Sequence, residues 1–496
     1  MRLHKILVVW TVALAIVLTQ LTGCGSSSNT TSPPGPGPLN ADNVNLIFVV
    51  SEDLAYNASG DVNPNTTNLT SQGLQRSLLM ATFLKQRVLG TQNVTGIYVL
   101  EPMTHLQSAS QTAIRYPDMA APETVQQFAL LNQITLLIPP LDIPYTGNSY
   151  PLNASYAQGS VPTGVATPTA YCTPCQGIDF NDRQGNNENL MTGIITADVP
   201  GFYVFSAPWE TTRTMLESIN RIEGYNLTLP TSYAGPNYIY AISIAPSGSA
   251  SLVTYNSNLN PPSTYPVLPT PTPASTSCTA QTSFNIIVTG GVGGAVVPPG
   301  INTNETVYIV RHADAHPLSE WSDGNYVCAG QWRALDLPNA LKGKLSPEPR
   351  QIYSLDPAQT SPGFPNDWSS VAPSLTIEPY AIDANLPYNL VAGFEMSDPN
   401  AATLTSDFFF TGSQFSNQTV MVAWSYVQIQ QMMLALVSSY YPNVATPTPT
   451  PVPAWPGTDY DTIWKVTLDA AGNLTVNNSL CEGIDSAALP VTCPQF

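Results

Sequence analysis

Residues Glu305 to His316 read ETVYIVRHADAH, and the β-branched and aromatic run inside this stretch ends on Arg311 and His312. A parallel strand that stops there presents its last residues to the crevice at the carboxyl edge of a sheet, where α/β proteins bind ligands. An imidazole in that place can attack an electrophile and carry a group covalently. An arginine beside it can grip an anion through forked hydrogen bonds. The pair therefore has the residue types for nucleophilic chemistry on an anionic ligand. The cations available to assist it are few. The 496 residues include 15 Lys plus Arg against 33 Asp plus Glu, a net charge of −18, and only 4 His. Nucleic-acid binding needs a basic surface to displace counterions, so that class is excluded. No His/Cys ligand cluster or glycine-rich phosphate loop marks a metal or nucleotide cofactor, and none is expected.

The elements that must position this pair occur twice. NLIFVV (Asn45 to Val50) and TVYIVR (Thr306 to Arg311) both read as buried strands. Each is followed by an amphipathic helical stretch, 69–88 and 327–345, with glycine three residues before arginine: Gly73 and Arg76, then Gly330 and Arg333. TGIYVLEP and RQIYSLDP come next, then 121–131 and 374–384, then a strand and helix in 201–219 and again in 418–436. Both halves close on strand-like stretches with a turn signal in the middle, 239–253 and 463–476. Alternating strands and helices imply an α/β fold. The expected architecture is two tandem three-layer domains, each a mainly parallel sheet with helices on both faces. In this alignment Ser51 and Glu52 stand where the second copy has Arg311 and His312, and a carboxylate there would repel an anion.

The boundaries follow from composition. Residues 1–23 pair Arg2, His4 and Lys5 with an apolar run from Ile6 to Leu21, which reads as a secretory signal. Leu21-Thr22-Gly23-Cys24 resembles a bacterial lipobox, which makes Cys24 the lipidated first residue; the alternatives are a plain signal peptide or an N-terminal membrane helix. Residues 24–43 form a flexible tether, 44–258 the first domain, 259–283 a Pro/Thr-rich linker and 284–496 the second domain. A similar Pro/Thr-rich tract at 445–455 reads as a surface insertion. The remaining cysteines, Cys172, Cys175, Cys278, Cys328, Cys481 and Cys493, are an even set in an exported chain and are disulfide candidates. Cys481 with Cys493 is an attractive local pair, and the Cys172–Cys175 spacing fits a structural disulfide better than zinc or redox chemistry. The connectivity stays open.

VYIVRHAD followed by a Gly-x-x-Arg helix, with TIEPYA, VMVAW and WPGTDYDTIW in order behind it, resembles the histidine phosphatase (phosphoglycerate mutase-like) superfamily. The resemblance spans most of 305–480 and, through the repeat, weakly 44–256. It implies His312 as a phosphoryl-accepting nucleophile and Arg311 as a phosphate clamp, with Glu395 a candidate acid by position. It also implies a second arginine and a second histidine, and here those places hold Ala372 and Tyr426. Arg333, Arg350 and His316 are the candidates to replace them. The first copy has lost the chemistry altogether. Two functional readings follow. One is an exported, lipid-anchored pseudoenzyme of the bacterial cell envelope, on the periplasmic side or cell surface, that binds a phosphate-like ligand or an unidentified protein partner. The other is an atypical phosphomonoesterase acting through a phosphohistidine on His312.

Overall fold

A computed structural model describes residues 35–52, 60–64, 66, 68–100, 118–131, 152–153, 177–179, 182, 185–261, 263, 281–314, 328–355, 360–361, 368–369, 372–391, 401–442 and 452–490. In chain order the first half contains β1 (Val44–Val50), α1 (Ser71–Phe83), β2 (Gly96–Val99), α2 (Ala120–Leu131), β3 (Leu152–Asn153), α3 (Asn186–Ala197), β4 (Gly201–Ala207), α4 (Trp209–Ile222), β5 (Tyr238–Ile244) and β6 (Ala250–Asn256). The second half contains β7 (Asn285–Val288), β8 (Glu305–Arg311), α5 (Cys328–Leu341), β9 (Gln351–Leu355), the small hairpin β10 (Thr360–Ser361) and β11 (Trp368–Ser369), α6 (Ala372–Asp383), β12 (Tyr388–Val391), α7 (Ala401–Phe410), β13 (Thr419–Trp424), α8 (Tyr426–Ser439), β14 (Thr462–Leu468) and β15 (Leu474–Cys481).

Every residue of β1 and of β8 is buried, which places both strands at the centre of layered structure. The first sheet runs β3-β2-β4-β1-β5-β6, and the second runs β12-β9-β13-β8-β14-β15-β7. The two orders correspond strand for strand, with β7 added at one edge. Directions correspond too. β1 is parallel to β4 and antiparallel to β5, as β8 is parallel to β13 and antiparallel to β14. The closing hairpins, β5–β6 and β14–β15, are antiparallel.

Alternating side chains give each sheet two apolar faces. Ile47 and Val49 pack with α1 and α2, and Leu46, Phe48 and Val50 pack with α3 and α4. In the second sheet Tyr308 and Val310 pack with α5 and α6, and Val307 and Ile309 with α7 and α8. Burial of each such side chain contributes about 1.5–3 kcal/mol. The layers are thus helix, sheet, helix in both halves. The halves meet through equivalent helices. Leu74, Leu78 and Ala120 share an apolar cluster with Trp332, Leu335 and Ile382. Polar contacts border it. Gln331 Nε2 donates to Gln127 Oε1 at 2.9 Å, and Asn68 Nδ2 donates to the Leu386 carbonyl at 2.5 Å.

Candidate functional site

The crevice at the carboxyl edge of the second sheet is built where β8 and β13 end side by side, with Arg311 paired to Trp424. One residue further, the His312 N–H donates to the Trp424 carbonyl at 2.9 Å. In the first sheet Val50 pairs with Ala207, and the Ser51 N–H donates to the Ala207 carbonyl at 3.0 Å. The register therefore sets Val50 in the place of Arg311 and Ser51 in the place of His312. The sequence alignment is one residue out, because strands buried on both faces lack the polar alternation that fixes phase. The helix after each neighbouring strand then begins on an aromatic residue, Trp209 in the first half and Tyr426 in the second.

Arg311 does not project into open space. Its Nη1 donates to the Gly457 carbonyl at 2.6 Å and to the Asp459 carbonyl at 3.1 Å. Its guanidinium carbon lies 4.4 Å from the Tyr426 ring centroid and 3.8 Å from that of Tyr460. Both faces of the cation are thereby covered by π-systems, an arrangement that stabilises a desolvated charge. Burial lowers the guanidinium pKa, and Tyr460, Tyr426, Asp314 and Asp459 oppose that fall. The covering segment, residues 455–460, is pinned at both ends. Trp455 stacks on Trp464 at 4.9 Å, and its Nε1 donates to the Asp459 carbonyl at 2.9 Å. The Asp459 Oδ1 accepts the N–H groups of Asp461 and Thr462, which lead into β14. Val452 and Trp455 are core residues, so the end of the 445–455 tract is not the surface insertion its composition suggests.

His312 is 1% exposed, and its Nε2 is sealed from solvent. Its Nδ1 lies 2.9 Å from the Ala313 carbonyl, which can only accept, so this nitrogen carries the proton and Nε2 keeps the lone pair. Burial, and then the Arg311 charge, push the imidazole pKa down to about 3, against the pull of the carbonyl hydrogen bond. The ring is neutral at ordinary pH. The Tyr460 ring meets it edge-on with centroids 6.0 Å apart. Thr376 Oγ1 fixes the next residue by accepting the Ala313 N–H at 2.7 Å while donating to the Ala372 carbonyl at 2.7 Å. The start of α6 therefore reaches the site, and the residue it brings there, Ala372, is uncharged.

Of the candidate replacement cations, Arg333 is engaged elsewhere and Arg350 lies far from the site. Arg333 is 1% exposed and donates from Nε to Asp314, from Nη1 to Glu482 at 2.7 Å, and from Nη2 to the Ile484 carbonyl and Ser486 Oγ. Burial raises the Glu482 pKa to about 8 even with Arg333 beside it. The Arg350 N–H donates to the Thr419 carbonyl, at the opposite edge of the sheet from Arg311. His316 and Glu395 lie outside the described residues, as do Cys24, Cys172, Cys175, Cys278 and Cys493; Cys328 opens α5 and Cys481 is disulfide-bonded. Sequence reasoning missed Tyr460 and the Gly457 and Asp459 carbonyls. They sit far along the chain from Arg311, and only the fold joins them.

The same edge of the first sheet is lined by Val50, Glu52, Asp61, Arg76, Ser77 and Thr124. Tyr233 donates to Glu52 Oε1 at 3.0 Å, and Arg76 Nε pairs with Asp61 at 2.5 Å. Arg76 and Arg333 thus play one part: a helix arginine held by an aspartate from the segment after the central strand.

No family model matches the sequence, and no curated protein matches it. Solved structures align with parts of the chain. A phosphoglycerate mutase from Plasmodium falciparum aligns at 12% identity over 39% of this chain and 99% of its own, with a TM-score of 0.24. A mycobacterial glucosyl-3-phosphoglycerate phosphatase aligns at 11% identity over 32% of this chain and 89% of its own, with a TM-score of 0.23. A phosphoserine phosphatase from Entamoeba histolytica aligns at 14% identity over 43% and 98%, with a TM-score of 0.21.

Proposed function

We propose that the chain is a tandem of two histidine phosphatase-like domains, 44–258 and 284–496, that no longer transfers phosphoryl groups. It acts as a binding protein held at the bacterial cell envelope through lipid on Cys24. One observation carries the non-catalytic reading. The arginine a phosphate would need is enclosed between Tyr426 and Tyr460 and bonded to two backbone carbonyls of its own chain. The absence of charge at Ala372, and the tyrosine at 426, support the same reading. Catalytic groups that act together lose far more than a proportionate share of rate when some are removed.

A second reading, a phosphomonoesterase working through His312, is favoured by a single feature: the imidazole is neutral and its lone pair is on Nε2. Steady-state hydrolysis of p-nitrophenyl phosphate by residues 25–496 separates the two. The expected result is equal background turnover by wild type and His312→Ala, with no acid-labile phosphohistidine. Turnover lost in His312→Ala would establish the enzyme reading. Cys24→Ser is expected to release the protein from membranes, and unchanged retention would remove the lipid anchor from the proposal.

A further inference from the structure

The helices through which the halves meet carry a carboxyl from each side. Glu123 on α2 and Glu378 on α6 are both 0% exposed. Glu123 Oε2 accepts the Leu69 N–H at 2.6 Å, and its Oε1 has no hydrogen-bond partner. Tyr388 on β12 donates to the Ser374 carbonyl at 2.8 Å and is hydrogen-bonded to Gln126, one turn along α2 from Glu123. Together with the Gln127–Gln331 bond, these groups make a polar seam between two apolar surfaces.

The seam holds no compensating cation among the described residues. Burial raises the Glu123 carboxyl well above its usual range, the Leu69 N–H pulls it back, and Asp118 adds to the rise. Burial and then Glu123 raise Glu378. Tyr388 is raised by burial and by both glutamates. Several charged and titratable side chains on the surrounding helices interact with other groups. Arg76 on α1 pairs with Asp61, Arg333 on α5 pairs with Asp314 and Glu482, Asp336 on α5 bonds to Asn339, and Tyr380 on α6 feels Glu348, Tyr308 and Asp383.

We propose that Glu123 and Glu378 form a proton-dependent latch between the two halves. Protonated, they sit in the seam as neutral groups. Ionised, they set two like charges against each other in a low dielectric, and the seam opens. The sign follows from linkage. A carboxyl that binds its proton more tightly when docked favours docking at low pH, and docking weakens as pH rises above the free value of about 4.5. Each proton released on opening makes opening about tenfold easier per pH unit.

Hydrogen exchange of the full chain between about pH 5 and about pH 10 tests this, after correction for the intrinsic base dependence of exchange. The Leu69 amide is expected to lose protection relative to the Ile309 amide of β8 as pH rises, by about tenfold per unit for one proton released. The Glu123→Gln/Glu378→Gln double variant is expected to abolish that relative loss. Parallel behaviour of Leu69 and Ile309 in the wild type would overturn the latch, as would an undiminished relative loss in the double variant. The wild-type comparison decides the matter even where the double variant does not fold.

Discussion

The ends of β1 and β8 occupy equivalent places in two sheets of the same strand order, and they hold opposite chemistry. At Val50 an aliphatic side chain packs in a core that includes Trp209 and Tyr240, with Tyr233 beside it. At Arg311 a guanidinium fills the corresponding place between Tyr426 and Tyr460. The aromatic surround belongs to both halves, and the charge belongs to one. An arginine in such a setting behaves as a core residue that keeps its charge through ring faces and backbone carbonyls. The comparison also separates two arginines that look alike in sequence. Arg76 has one aspartate partner and 11% side-chain exposure, whereas Arg333 sits 1% exposed among Asp314, Asp461 and Glu482.

Exchanging the two strand ends should break the comparison hardest. Val50→Arg places a charge in the core of the first half without the two carbonyls that receive Arg311. A loss of more than about 4 kcal/mol is expected in urea unfolding. A loss below about 1 kcal/mol would mean that the first half accepts a cation as readily as the second. Arg333→Met should follow closely, at about 3–5 kcal/mol, because it leaves buried carboxylates uncompensated. Arg76→Met should cost about 1–3 kcal/mol on the same scale, and equal losses at the two positions would erase the distinction between them.

The next effect is pH-dependent. The His312 pKa falls from 6.5 to about 3 on folding, so below 6.5 the unfolded chain takes up a proton that the folded chain refuses. Stability should decline by about 1.4 kcal/mol per pH unit as pH falls through that window, and His312→Phe should lack this share of the slope. Superimposable pH–stability curves for the two proteins would contradict the burial assigned to His312. The smallest effect is expected from Arg311→Met, about 1 kcal/mol, since the new side chain keeps the packing between the tyrosines while two carbonyls lose a donor.

Much of this arrangement is legible in the sequence. The β-branched runs of β1 and β8, and the helical stretches that follow them, point to the α/β layering that the two sheets have. The register is legible only in part: NLIFVV laid on TVYIVR sets Val50 against Arg311, whereas matching Ser51 and Glu52 to the Arg-His pair slips by one residue. The alignment consequently sets Glu52 against His312, and backbone pairing moves Ser51 there instead. β8 ends on Arg311 with His312 next, as the run TVYIVR implies. Their surroundings are hidden because Tyr426, which opens α8, and Tyr460, which precedes β14, reach the end of β8 only in the folded sheet. Arg333 reads as a free cation in sequence, since Asp314 and Glu482 meet it only in three dimensions.

The enclosure of His312 is tested most directly by titrating the full chain with orthovanadate while following the His312 Nε2 resonance by nitrogen NMR. With Arg311 held by the 455–460 segment, no saturable shift is expected in the wild type. A saturable shift that disappears in Arg311→Met would show an open phosphate site and contradict the non-catalytic reading.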